Sequence, residues 1–80
     1  MKGNDMAKEE IKYEILEEYG IIGRKPNGDV IKLTLTRWGS NPPKYDIRPW
    51  SESGGLRRGF TLTREELQNL FLLMPAVLEE

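Results

Sequence analysis

The chain has 80 residues, and its composition excludes several classes of protein. A domain of this size buries only roughly 60% of the surface that its unfolded chain exposes, so additional burial against a partner chain is expected. The sequence contains neither cysteine nor histidine, which excludes disulfides, thiolate and histidine metal sites, and catalysis by a nucleophile paired with histidine. No apolar run is long enough to cross a bilayer, and the first ten residues lack the apolar centre of a signal peptide. We therefore expect a cytoplasmic protein that is not an enzyme and uses no cofactor or metal.

Charge is unevenly distributed along the chain, although the net charge is only −1. Residues 24–64 contain nine basic and three acidic residues, whereas residues 1–23 contain three basic and six acidic ones. Residues 65–80 carry four glutamates and no basic residue. A basic middle segment attracts a polyanion locally, because electrostatic attraction acts over about 10 Å at moderate salt. The plainer alternative is a solvated surface of mixed charge.

The amino-terminal part is predicted to contain a disordered tail followed by a strand. Residues 1–9 are polar, and the folded domain is predicted to span residues 10–80. The glutamates after the tail would suit a helix, but apolar and charged residues alternate over residues 11–15 and include the β-favouring Ile and Tyr. We therefore predict a first strand up to residue 22, bulged near Glu17 and bent at Gly20.

Three further strands are predicted, separated by turns and loops. The segment Pro26-Asn27-Gly28 has the chemistry of a turn, because Pro interrupts strand pairing and Asn-Gly readily takes positive φ. Pro49 cannot donate a hydrogen bond to a neighbouring strand, so the third strand should lie at a sheet edge or end there. Gly59 is expected to permit the close approach of two backbones. The predicted strands are Val30–Trp38, Lys44–Trp50 and Arg57–Leu62.

The carboxyl-terminal part is predicted to form a helix that begins at a capping box. Thr63 can accept a hydrogen bond from the amide of Glu66, while the Glu66 carboxylate can accept one from the amide of Thr63. Pro75 should kink or interrupt this helix. Because further leucines lie outside the main apolar stripe, the helix needs a second cover, and we expect this cover to be another copy of the chain. The stripe predicted to cover the sheet has i, i+3, i+4, i+7 spacing and consists of Leu67, Leu70, Phe71 and Met74.

The second and third strands place both tryptophans among polar side chains. In the third strand, Tyr45 and Ile47 share one parity, while the charged residues and Trp50 share the other. The second strand repeats this arrangement, since its aliphatic residues alternate with Lys32, two threonines and Trp38. Successive side chains of a strand point to opposite faces, so both indoles should project from a solvated face together with cations. Such a face suits single-stranded nucleic acid, whose bases stack on rings while its phosphates pair with Lys and Arg.

The segments 44–50 (KYDIRPW) and 57–63 (RRGFTLT), with four strands and a following helix, resemble a known family. This is the single-stranded DNA-binding domain of the positive-cofactor-four transcriptional coactivators, in particular its bacterial YdbC-like branch, and the resemblance covers about residues 10–74. It implies an α+β fold in which a curved four-stranded antiparallel sheet precedes one carboxyl-terminal helix (β-β-β-β-α), and a homodimer joined through that helix. The chain departs from the family in having Pro49 and in lacking the basic, serine-rich tail of the eukaryotic coactivators.

The resemblance also implies which side chains contact nucleic acid. Arg48, Trp50 and Arg58 fall on contact positions, Trp38 stands where an aromatic ring would stack on a base, and Lys44 belongs to the same surface. Three further basic residues are weaker candidates: Lys32, Arg57 and Arg37.

Plainer interpretations of these residues stay open. The tryptophans could be packing residues, and Arg48 could pair with Asp46 instead of a phosphate. Arg57 could lie at the edge of the preceding loop, and Arg37 lies on the Leu35 side of its strand unless a bulge rotates it.

We expect a non-catalytic, homodimeric single-stranded DNA-binding protein, an accessory factor in transcription, replication or repair. RNA binding or annealing through the same face is an alternative, because stacking and phosphate contacts ignore the 2′-hydroxyl. A protein-interaction adaptor that uses exposed tryptophans is another, and duplex DNA stays open as a further partner. The sequence does not discriminate among these partners.

Overall fold

A computed structural model describes residues 12–79 of the chain. Its four strands form one antiparallel sheet in the order β1-β2-β3-β4, followed by a single helix, which confirms the predicted α+β arrangement. The predicted disordered tail, residues 1–9, lies outside the described residues. Within the described part of the chain, no helix is long and apolar enough to span a membrane. The elements are β1 Tyr13–Arg24, β2 Val30–Trp38, β3 Lys44–Trp50, β4 Phe60–Leu62 and α1 Arg64–Leu78.

Strand β1 is the most irregular of the four strands. Its pairing with β2 shifts register three times, between Ile15 and Glu17, between Glu18 and Gly20, and again before Gly23. The predicted bulge near Glu17 is therefore one of several. Each extra residue bends the strand and increases its twist. The bulges also decide which β1 side chains face which side of the sheet, and simple alternation could not predict this.

The turn between β1 and β2 forms as its chemistry predicts. Gly28 has a φ of 97°, a left-handed conformation that favours glycine. The Asn27 side chain accepts a hydrogen bond from the Asp29 amide at 2.9 Å, and the Lys25 amide donates to the Asp29 carbonyl at 2.8 Å. These bonds close the hairpin.

Strand β4 is shorter than predicted, and it begins at Phe60 rather than at Arg57. The Arg57 amide donates instead to the carbonyl of Pro49 at 3.0 Å, beyond the end of β4. Pro49 was predicted to place β3 at a sheet edge or to end it. The strand is internal, but it ends at Trp50, one residue after the proline, which agrees with the second alternative. Gly59 lies so close to β3 that a Cβ there would overlap the Cβ of Arg48, which confirms the predicted close approach.

Helix α1 begins at the predicted capping box. The Thr63 hydroxyl accepts from the Glu66 amide at 3.1 Å, and the Glu66 carboxylate accepts from the Thr63 amide at 2.8 Å. The helix continues through Pro75 to Leu78, so the proline does not end it. None of its residues is buried, and Phe71 is 63% exposed. The predicted cover of its apolar stripe by the sheet is therefore only partial: Leu67 is half-buried beside sheet residues, whereas Leu70, Phe71 and Met74 are exposed.

The best-packed part of the described chain lies on the side of the sheet that carries Trp38 and Trp50, which we call the tryptophan face. Trp50 is the one buried apolar side chain among residues 12–79, and Thr34, Thr36 and Asp46 are buried on the same face. The two threonine hydroxyls lie 2.7 Å apart and share a hydrogen bond. The opposite side, which we call the helix face, is more open.

Candidate nucleic-acid interface

Strand pairing brings the predicted site residues of β2 and β3, except Arg37, onto one surface. Lys32 lies directly opposite Arg48, and Thr36 lies opposite Lys44. Val30 lies opposite Trp50, which places that indole on the same side. Directly opposed residues of antiparallel strands project to the same face, so these side chains share the tryptophan face.

Trp38 is held on three sides by named groups. Its indole N–H donates to Asp46 Oδ2 at 3.1 Å. The guanidinium of Arg48 lies 4.6 Å from the ring centroid, within the range of a cation–π contact. The ring of Tyr13 from β1 lies at 5.2 Å, tilted by 38°. The half-buried Trp38 ring is therefore fixed in position before any ligand arrives.

Asp46 is the centre of this arrangement. Its side chain is 1% exposed and accepts two hydrogen bonds from Arg48, at 2.6 Å from Nε and 2.9 Å from Nη2. A third bond comes from Trp38, so both carboxylate oxygens have partners. A buried carboxylate stays favourable only when it is paired and hydrogen-bonded in this way.

Arg48 is consequently committed to the protein itself. Its side chain is 11% exposed, and Nη1 donates to the carbonyl of Arg57 at 3.1 Å in addition to the bonds to Asp46. The plainer interpretation, an ion pair with Asp46, matches this geometry. Arg48 contacts the Trp38 ring, and its charge is offset by the neighbouring carboxylate.

Trp50 lies on the predicted face but is covered. It is 6% exposed, with the Tyr13 ring at 6.0 Å and the Lys32 ammonium 5.8 Å above the indole. Its indole N–H has no hydrogen-bond partner within residues 12–79. A base could stack on Trp50 only after Tyr13 or Lys32 moved aside. Trp38 and the 39% exposed Tyr13 are the accessible aromatic rings of this face.

Two basic candidates remain unpaired within the described residues. Lys44 and Arg58 are both exposed, and neither forms an ion pair among residues 12–79. Lys44 lies on the tryptophan face, opposite Thr36. Their charges are available to an incoming anion.

The other basic candidates have acidic partners. Lys32 lies 3.5 Å from Glu18, and Arg57 donates to the buried carboxylate of Asp29 at 3.1 and 3.3 Å. Arg37 pairs with Glu14 at 3.0 Å, and these two residues are directly opposed across β1 and β2. The solvated pairs of Lys32 and Arg37 typically contribute only about 0–1 kcal/mol each, whereas the Asp29 carboxylate of the third pair is 7% exposed. Arg37 lies on the helix face together with Leu35, as expected for a strand without a bulge at this position.

A hollow of about 460 Å³ opens beside Trp38, and we call it the Trp38 hollow. The sequence interpretation missed Asn41 and Thr61, which come from the β2–β3 loop and from β4. Neither residue carries a charge or an aromatic ring, so no sequence signal singled them out. Tyr13 was also missed, because the bulges of β1 conceal its register. The hollow is lined by Trp38, Asn41, Pro42, Lys44, Arg48 and Thr61.

The fold and this surface define a small α+β protein whose antiparallel sheet carries ordered aromatic and cationic side chains on one face. No family model matches the sequence. The chain is 33% identical over 67 residues to an uncharacterized protein of Treponema pallidum (strain Nichols), and the alignment covers 82% of this chain and 79% of that protein. The chain belongs to the same family as the Treponema protein.

Proposed function

We propose that this chain is a cytoplasmic, non-catalytic, homodimeric protein that binds single-stranded DNA through its tryptophan face. The observation that carries the proposal is the fixed Trp38 ring beside a hollow that also holds the unpaired Lys44. Aromatic rings next to cations are the combination by which proteins bind single strands with little sequence preference. The resemblance of segments 44–50 and 57–63 to the YdbC-like DNA-binding domains supports the same proposal.

In this mechanism a base stacks against the exposed part of Trp38, and the adjoining phosphates contact Lys44 and Arg58. Stacking of this kind contributes about 1–3 kcal/mol per base. Arg48 and Asp46 contribute indirectly, since they hold the indole so that little side-chain entropy is lost on binding. Lys32 can join the phosphate contacts when its weak exposed pair with Glu18 opens.

The exposed apolar surface supports a homodimer. Fourteen large apolar side chains of the described chain are exposed, and seven of them belong to α1. The described chain extends over 56 × 31 × 17 Å with a radius of gyration of 15.3 Å, against about 11–12 Å for a compact domain of this length. Burial of one such side chain contributes about 1.5–3 kcal/mol, so leaving all of them in water is unfavourable.

The helix face offers a place for the partner's helix. A hollow of about 370 Å³ is lined by Tyr45, Arg64, Leu67, Gln68, Phe71 and Met74, and a second of about 310 Å³ by Tyr19, Leu33, Tyr45 and Leu67. We propose that α1 of a second copy fills these hollows. This arrangement leaves both tryptophan faces free for DNA.

Fluorescence anisotropy with a labelled oligothymidylate tests the proposal. We expect saturable binding, weakening as salt rises, with quenching of the intrinsic tryptophan emission. Trp38→Ala should lose most of the affinity, whereas Tyr45→Phe, on the helix face, should retain it. Binding of neither DNA nor a matched RNA would contradict the proposal. Preference for the RNA would favour the alternative of an RNA-binding protein.

A further inference from the structure

We infer that the Trp38 hollow is a pocket for one nucleobase, whose hydrogen-bonding edge is bound by Asn41 and Thr61. This inference rests on the proposed function and goes beyond it, because stacking and phosphate contacts alone do not read the edge of a base. The volume of about 460 Å³ lies within the usual range of small-ligand pockets.

The walls of the hollow differ in chemistry. Trp38 provides a fixed aromatic surface, and Lys44 provides the exposed cation. Arg48 also lines the hollow, but its charge is already offset by Asp46. An anion alone would therefore meet one available positive charge, whereas a planar ring attached to a phosphate matches both the indole and the lysine.

The two remaining polar groups identify the part of the ligand that they meet. The Asn41 side-chain amide and the Thr61 hydroxyl form no hydrogen bond within residues 12–79. Each can both donate and accept. Phosphate oxygens only accept, but the edge of a nucleobase presents donors and acceptors side by side. Both groups can donate to a phosphate as well, but only a base edge uses their donor and acceptor capacities together, and this match favours the base edge.

The loop that carries Asn41 is constrained. The backbone N–H of Asn41 donates to the backbone carbonyl of Trp38 at 3.0 Å, directly after the end of β2. Pro42 and Pro43 follow, and each fixes its own φ and restricts the residue before it. Asn41 is consequently held next to the ring against which the base would stack. Thr61 is held from the other side, in β4 opposite Asp46.

Two oligonucleotides that have the same number of phosphates and the same stacking rings test this inference. One is an oligothymidylate, and the other is the same strand with N3-methylated thymines, which blocks the hydrogen-bonding edge. We expect the wild-type protein to bind the methylated strand about tenfold more weakly, the discrimination typical of a good pair of base contacts. Asn41→Ala and Thr61→Val should weaken binding to the unmodified strand and no longer distinguish the two.

Matched controls separate this role from a structural one. Thr61→Ser keeps the hydroxyl, and Ser40→Ala alters the neighbouring loop residue, which does not line the hollow; both should preserve the tenfold ratio. Equal binding of both strands by the wild-type protein, or an unchanged ratio in Asn41→Ala and Thr61→Val, would overturn the inference and leave the proposed function intact. Failure to bind either strand would overturn the proposed function and the inference together.

Discussion

Replacing Asp46 with Asn should both destabilise the fold and weaken single-strand binding. The substitution preserves shape but removes the charge and exchanges one acceptor oxygen for a donor. Asp46 accepts three hydrogen bonds from Arg48 and Trp38. In the best orientation, Asn keeps two of them and turns its amino group toward a donor of Arg48, whose guanidinium then lacks its counter-charge at 11% exposure.

The expected cost follows from these contacts. A hydrogen bond to a charged group contributes about 1.5–3 kcal/mol, and removal of one partner of a buried ion pair costs up to about 3–5 kcal/mol. Arg48 keeps its bond to the Arg57 carbonyl, so we expect an intermediate loss of about 2–4 kcal/mol. For a domain of this size the melting temperature should fall by about 8–32 °C.

Asp29→Asn is the matched control. Asp29 is also buried, but its partner Arg57 has a 53% exposed side chain and can return to water, so the control should cost less than Asp46→Asn, about 1–2 kcal/mol. Thermal unfolding is followed by circular dichroism at one fixed protein concentration, because dimerisation would make the melting temperature depend on it. Equal melting temperatures for the two variants, or wild-type DNA affinity in Asp46→Asn, would refute the role assigned to Asp46.

Three further predictions concern salt, assembly and pH. Lys44→Ala should reduce the slope of log affinity against log salt by about 0.7, whereas Arg48→Gln should lower the affinity without changing that slope, because only Lys44 is proposed to contact a phosphate; equal slope changes would contradict this difference. If the proposed dimer forms through α1, Leu72→Glu should be monomeric in light-scattering measurements at a protein concentration where the wild type and Asn69→Glu are dimeric, since Leu72 is an exposed apolar residue of α1; a monomeric wild type, or two dimeric variants, would contradict the proposed interface. The pKa of Tyr19 is raised above 10.0, first by desolvation and then by neighbouring Tyr and Glu groups. The protonated Tyr19 side chain should therefore make its full contribution to folding stability below pH 10, and this contribution should be lost as the pH rises through the raised pKa. Ultraviolet titration of the wild type against Tyr19→Phe measures this, and a Tyr19 midpoint at or below pH 10.0 would contradict it.

Local chemistry predicted most of the elements. Alternation located β2 and β3 with their observed bounds, and the Thr63 capping box located the start of α1. These features depend on residues a few positions apart, whose spacing the sequence displays directly. The same reasoning extended β4 too far, because the Arg57 amide bonds beyond the strand to Pro49 and its side chain reaches the distant Asp29.

Burial was harder to predict than side-chain direction. Parity placed Trp50 on the correct face, but not beneath Tyr13, which comes from a bulged strand 37 positions earlier in the chain. Arg48 pairs with Asp46 because the Asp46 carboxylate is buried. A strand face that is expected to be solvated does not predict this burial. Asn41 and Thr61 meet in one hollow only because β4 pairs with β3 beside the β2–β3 loop.

The most direct test of DNA binding by the tryptophan face follows the two indole N–H signals and the backbone amides by NMR as an oligothymidylate is added. The two indole signals are assigned with Trp38→Phe. We predict large shifts for the Trp38 indole and for the amides of Asn41 and Lys44, and little change from Glu66 to Leu78 in α1. Shifts confined to α1, or none at saturating DNA, would contradict the account.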